Sequence, residues 1–270
     1  MLLTSLIADS LALGPHWMYD RGEIVAKFPH LNALHAPATT YHPGKQAGDQ
    51  THLGDQTKIL AASLIATEGE PDEAHFMLEW KAFWAAPTTK TYRDKATKTV
   101  LETNAPAPST ELAGVARTAP LVSLLLKRCL RGDALAEGIY RHVSCTHASG
   151  ASQKATQTLA DILTQLLDGK TLTEILPADP FPKLEAGEAI EELGQSCDIA
   201  AAVPSSFLLL RRFGNDPALA LIQNALAGGD SAARGLFMGI ILGLTPPKLP
   251  DSWSQQLRAK PLVDQFDRLL

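Results

Sequence analysis

Apolar residues recur at spacings of three and four along most of this chain, and that periodicity leaves few folds open to it. Eight segments carry it, near 2–14, 56–67, 73–84, 110–128, 151–167, 198–212, 216–226 and 231–243. Each presents an apolar stripe of helical period, and the alternating pattern of a half-buried strand is nearly absent. The Pro- and Gly-containing stretches 28–50, 103–108, 178–183 and 245–252 read as connections. No solenoid period is visible, so an all-α fold is expected, with the helices in one compact orthogonal bundle rather than a stack. A chain of 270 residues buries a large core, and no charge run or Gly/Ser/Pro linker splits it, so 1–270 is expected to be a single domain.

A formal net charge of -5, with no Lys/Arg stripe, argues against a nucleic-acid surface and for a small-molecule partner. Cys129, Cys145 and Cys197 are odd in number and far apart, which suggests neither a disulfide framework nor a zinc site and fits a reducing, cytoplasmic setting. The apolar start MLLTSLIADSLALG lacks a basic leader and holds Asp9 inside its apolar run, so it reads as a core helix rather than a signal peptide. No stretch of about 20 uncharged apolar residues is present, so no membrane span is expected.

Several residues invite a chemical reading beside a structural one. In LIADSLAL every near neighbour of Asp9 except Ser10 is apolar, and a buried carboxylate needs a partner; it sits on an exposed helix edge, bonds a neighbouring helix start, or meets a ligand. GDQT, Gly54 to Thr57, precedes an apolar run, which places Gly54 or Asp55 near an N-cap, where capping alone would explain an acid. GGDSAARGLFMGIILG, from Gly228, repeats that grammar at Asp230. Its two glycines let the backbone approach something closely, and its small face of Gly235, Gly239 and Gly243 suits tight packing against the helix that contains Asp9. Arg117 opens the apolar run of LAGVARTAPLVSLLL and is either a snorkelling cation or a bidentate grip on a carboxylate or phosphate. His147 in THASGAS caps a helix end or meets a ligand, and Tyr92 and Asp94 in TYRDKAT look like another helix start. The segment from Phe28 to Leu53, rich in His and Gly, is either a surface loop or a lid over a pocket beside Asp55.

In order along the chain these segments resemble the ADP-ribosylglycohydrolase family, which also includes related crystallins. LIADSLALGPHWMYD is similar to the family's opening GDALG segment, GDQT to its TDDT, TYRDKAT to YxDxxT, AGVARTAP to GxxxRxAP, THASGAS to THxxPxA, and GGDSAARGLFMGIILG to its closing GGDTDTxxxxxGxxxG. The resemblance spans nearly the whole chain and implies the family's all-α bundle. In characterised members the acids and threonines of TDDT and GGDTDT hold two magnesium ions in a cleft where ADP-ribose binds. Transferred position by position, TDDT becomes Gly54, Asp55, Gln56 and Thr57, and GGDTDT becomes Gly228, Gly229, Asp230, Ser231, Ala232 and Ala233. One acid and one threonine are lost at each end. The resemblance then implies Asp55, Asp230 and Asp94 as catalytic acids, with Asp9, His16, Gln56, Arg117, His147, Gly229, Ser231 and Arg234 at the substrate. It implies Mg²⁺ as cofactor, one ion at most rather than two, on Asp55, Asp230 and Thr57, with Arg234 or another base in place of the missing positive charge.

Two functions follow from that pattern. One is a hydrolase that cleaves a ribosyl glycosidic bond of an ADP-ribosylated or related nucleotide-sugar substrate through an oxocarbenium-like state. The other is an inactive member that binds a ligand or serves structurally, as the related crystallins do. No adjacent His–Asp pair occurs, which sets aside the helical phosphohydrolases that use one.

Overall fold

The computed structural model describes residues 1–270, and its centre is a helix with no exposed face. That helix is α14, the last of fourteen met before the C-terminal pair. In chain order they are α1 (Leu2–Leu13), α2 (Arg21–Lys27), α3 (His52–Ala66), α4 (Glu73–Ala85), α5 (Lys95–Thr103), α6 (Ala113–Ala116), α7 (Ala119–Lys127) and α8 (Gly132–Val143). They continue with α9 (Gly150–Leu167), α10 (Leu172–Ile175), α11 (Ala186–Leu193), α12 (Ile199–Phe213), α13 (Pro217–Leu226), α14 (Ser231–Leu242), α15 (Asp251–Gln256) and α16 (Lys260–Asp267). There is no strand, only two isolated bridges, Ala107 with His147 and Glu111 with Asp198. The expected all-α architecture is the observed one.

Every residue of α14 is buried, as are ten of the twelve in α1. The apolar start is therefore a core helix, and no helix is long and apolar enough to cross a membrane. The two helices lie almost backbone to backbone along the small face. A Cβ at Gly239 would stand 2.5 Å from the Ser5 Cα, and one at Gly243 2.6 Å from the Met1 Cα. Ser5 Oγ donates to the Leu236 carbonyl at 3.1 Å across the same seam. Alanine at 239 would gain about 1 kcal/mol in helix propensity, yet its methyl collides with backbone that cannot rotate away. Gly239→Ala is expected to lower the unfolding free energy by about 2 kcal/mol net, measured by urea titration; an unchanged or raised midpoint would refute this packing.

Two boundaries differ from the expectation. The periodic run 110–128 is broken into α6 and α7 at Arg117–Thr118, because Pro120 has no N–H for an unbroken ladder and takes the second position of a new helix instead. In the GDQT region the N-cap is Thr51, not Gly54 or Asp55, so the acid sits one turn inside the helix. The core is continuous, with 66 buried apolar residues in one cluster, and Cys129, Cys145 and Cys197 are all free thiols.

Candidate active site

Asp9 is the first candidate site residue in the chain and is completely buried. Both of its oxygens are used by Thr51, whose N–H donates at 2.7 Å and whose hydroxyl donates at 2.6 Å. The Thr51 hydroxyl in turn accepts from Leu53 N at 3.1 Å, so α1 fixes the start of α3 through a two-step cap. Burial pushes the Asp9 carboxyl up to about 6 against the Thr51 hydrogen bonds. This contact also explains Gly54. A Cβ there would fall 2.2 Å from Asp9 Oδ2 and 2.5 Å from Gln50 Oε1, so the space a threonine would fill holds the Asp9 carboxylate.

Asp55, three residues into α3, is buried and clamped between two ammonium groups. Lys45 Nζ lies 2.6 Å from Oδ2 and Lys58 Nζ lies 2.9 Å from Oδ1. Lys45 comes from the long 28–51 segment, whose Pro43, Gly44 and Lys45 wall an open basin beside Asp55. Gln56 joins three groups. Its Oε1 accepts from Trp80 Nε1 at 3.1 Å and from Arg117 Nη1 at 3.2 Å, and its Nε2 donates to Asp94 Oδ2 at 3.4 Å. The Thr57 hydroxyl turns back onto the Leu53 carbonyl of its own helix.

Arg117 is fully buried with no carboxylate partner. It bonds Gln56 and the His142 carbonyl and lies over the Phe76 ring at 5.1 Å, and burial lowers its guanidinium to about 10, still charged at neutral pH. His147 accepts or donates at 2.8 Å to the Thr146 hydroxyl and packs on Gly114, where a Cβ would come within 2.7 Å of its ring. Both lie in the interior and neither lines the cleft described below.

At the other end of the chain Asp230 caps α14 through Ala233 N at 3.3 Å, while His16 Nε2 lies 3.3 Å from Oδ1 and Trp17 Nε1 donates to Oδ2 at 3.2 Å. Burial alone would raise this carboxyl, but the hydrogen bond and charge of His16, the charge of His52 and the Trp17 bond together hold it well below the ordinary carboxylate range. The double glycine before it does bring backbones together. Gly229 (φ 63°) donates to the Met18 carbonyl at 2.7 Å and accepts from Trp17 N at 3.0 Å, and a Cβ on it would strike Gln195 at 2.5 Å. That pairing sets Trp17 at φ 61°, an uncommon conformation for a bulky residue. Arg234 is turned the other way. It holds the Gly228 carbonyl at 2.6 Å and Asn224 Oδ1 at 3.1 Å, so its charge builds the turn, and the bases that meet a candidate metal acid are Lys45 and Lys58. The Ser231 carbonyl accepts from Asn224 Nδ2 at 2.8 Å, and the buried Ser231 hydroxyl has no partner.

Around Asp230 stands an aromatic and imidazole wall. His16 Nδ1 is 2.7 Å from His42 Nε2, Trp17 stacks on His16, and Tyr41 and Tyr92 meet Trp17 edge-on at 4.9 and 4.7 Å. Trp17, Tyr19, His52, Tyr92, Asp94 and Asp230 border a cavity of about 270 Å³, which adjoins a second of about 360 Å³ across Lys95, Glu111, Ser196 and Cys197. Asp94, the N-cap of α5, accepts from Thr97 N at 2.5 Å, and His52 Nε2 is 3.9 Å away. Glu111 escapes a reading by motif, although an acid at the head of an apolar run, the pattern at Asp55 and Asp230, recurs in Glu111–Leu112. The bridge to Asp198 fixes it in the wall. Burial, then the Asp94 charge, raises its carboxyl, while Ser109 pulls the other way.

These groups do not fit a magnesium ion. Mg²⁺ takes about six oxygens in a near-octahedral shell, whereas both oxygens of Asp55 are ion-paired with lysines, those of Asp230 are held by His16, Trp17 and Ala233, and Ala232 offers none. No group of three or more His, Cys, Asp or Glu side chains is placed to hold a metal.

No curated protein matches this sequence. A solved chain from an "ADP-ribosylglycohydrolase-related protein complex" shares the fold at a TM-score of 0.71 and 19% identity, with 99% of this chain and 95% of that one covered. A sequence model described as ADP-ribosylglycohydrolase matches residues 1–270, and the chain therefore belongs to the ADP-ribosylglycohydrolase family.

Proposed function

We propose that the chain hydrolyses a ribosyl glycosidic bond of an ADP-ribosylated or related nucleotide-sugar substrate in the Trp17–Tyr92 cleft. The observation that carries this reading is the pair Glu111 and Asp230. They line one continuous cleft with their carboxyl groups shifted in opposite directions, the arrangement that separates a proton donor from a charge stabiliser.

Trp17, Tyr19 and Tyr92 supply ring faces and edges for the base or ribose, and Lys95, on the wall common to both chambers, supplies a cation for the diphosphate. Glu111, protonated, gives its proton to the leaving atom as the bond to the anomeric carbon breaks. Asp230 stays ionised and stabilises the positive charge that develops on the sugar. Asp94, oriented by its own cap and by Gln56, takes the proton of the water that adds to that carbon. Asp55 has no part in these steps. Asp9, Gln56 and Arg117 position the α3 start and Asp94 from behind.

The test is incubation with ADP-ribosylated peptides, with and without Mg²⁺, reading free ADP-ribose. Release is expected in both conditions. Because Glu111 acts in its acid form, kcat/KM is expected to fall as pH rises through its raised pKa, and Glu111→Gln to lose that alkaline limb together with most of the rate. A profile unchanged in Glu111→Gln would refute its role. A second reading, ligand binding without turnover, is favoured by the lysine clamp on Asp55; calorimetric binding of ADP-ribose with no release under any condition would select it.

A further inference from the structure

Asp55 stands where the family resemblance expects a metal ligand, yet the basin in front of it is arranged to repel a cation. Its walls are Pro43, Gly44 and Lys45 from the 28–51 segment, Asp55 and Lys58 from α3, Phe83 from α4, and Thr88 to Thr91 from the connection to α5. Lys45, Lys58 and Lys90 share this lining with a single carboxylate, so two positive charges remain uncompensated in a chain whose formal charge is -5. The volume, about 600 Å³, is ample for a small ligand. It shares no lining residue with the Trp17–Tyr92 cleft.

The two ammonium groups on Asp55 are held in place before any ligand arrives. The Lys45 side chain is only 18% exposed and that of Lys58 38%, and each ammonium carries three N–H donors, of which Asp55 accepts one. The remaining donors need an acceptor. The Thr91 hydroxyl in the same wall is buried without a hydrogen-bond partner, and Thr88 and Lys90 lie beside it. Fixed ammoniums with spare donors, hydroxyls at the rim and an excess of positive charge are the chemistry that takes a phosphate group, with lysine acting as a point charge. We infer that this basin is a metal-independent anion site that binds the phosphate or diphosphate group of a small molecule through Lys45, Lys58 and Lys90. Asp55 is the residue that positions the first two of these. Through the continuous stretch from Thr88 to Asp94, an occupied basin would steady the wall that carries Tyr92 and Asp94 into the neighbouring cleft.

The test is calorimetry of the whole protein with inorganic phosphate and pyrophosphate in EDTA, MgCl₂ alone being titrated separately. Pyrophosphate is expected to bind in EDTA, more tightly than phosphate and more weakly as salt is raised. MgCl₂ alone is expected to give no binding. Lys90→Met, which leaves the Asp55 clamp untouched, and Lys58→Met are each expected to weaken pyrophosphate binding about fivefold, whereas Lys154→Met, outside both the basin and the cleft, leaves it unchanged. No binding, binding that requires Mg²⁺, or binding lost in Lys95→Met but kept in Lys90→Met would overturn the assignment. None of these outcomes depends on whether the cleft hydrolyses anything.

Discussion

Asp230→Asn is expected to lower kcat by about 10²- to 10³-fold while leaving the fold intact. Asparagine is as good an N-cap as aspartate and its carbonyl oxygen can still accept from Ala233 N and from one of His16 and Trp17. What it cannot do is carry a negative charge. The site invests heavily in that charge: a buried carboxyl whose acidity is nonetheless increased, because His16, His52 and Trp17 surround it. In the proposed reaction the charge is needed only as the anomeric carbon becomes cationic, so the loss falls on kcat and much less on KM. A variant with near-normal kcat and an unchanged melting temperature would show that Asp230 is a helix cap and no more.

Mild acid is expected to destabilise the protein steeply. His42, His52, His142 and His147 are all buried, and in each case burial is the largest cause of a lowered pKa, to about 4 for His52 and His147, to about 2 for His42 and well below the ordinary imidazole value for His142. The unfolded chain protonates these rings near 6.5, the folded chain only well below that. The stability they contribute is therefore present above about pH 6.5 and is lost as pH falls toward 4, at up to about 1.4 kcal/mol per pH unit for each ring. Asp9 works in the opposite direction. Its carboxyl is raised to about 6 and that of Glu111 is raised as well, so both favour the folded state as pH falls, but they are two groups against four. The melting temperature is expected to drop by about 10–20 °C between pH 7 and pH 5. A flat profile over that interval would mean that the rings are charged, and partnered, in the folded protein.

The helices that were legible in the sequence were those with an uninterrupted apolar period. Residues 2–14, 73–84, 151–167, 198–212, 216–226 and 231–243 coincide with α1, α4, α9, α12, α13 and α14 to within two residues. α8 is not legible in the sequence although Leu135, Ala136, Ile139 and Val143 share a face, because Gly132 and Gly138 look like punctuation there. α5 shows in the sequence only as a start at Asp94, since its buried face is just Ala96, Thr97 and Val100. At the site, the close approach of α1 to α14 and the tight turn at Gly228–Gly229 were both readable, because small residues at helical spacing and paired glycines have few other uses.

Local chemistry along the chain thus determines the helices, the seam on which the core is built and the places where acids stand at or near helix starts. The partner of each buried charge was decided in three dimensions. Lys45 lies in a segment without period and reaches Asp55 only because that segment folds back over α3, and Glu111 meets Asp230's cleft only because residues 109–112 are pinned against 197–199. A charge interacts through space and falls off with distance, so sequence spacing carries no record of which cation comes to rest on which acid. That is the reason the family resemblance could name candidate acids but not their surroundings, where Asp9 fills the space of the threonine and two lysines rest on Asp55.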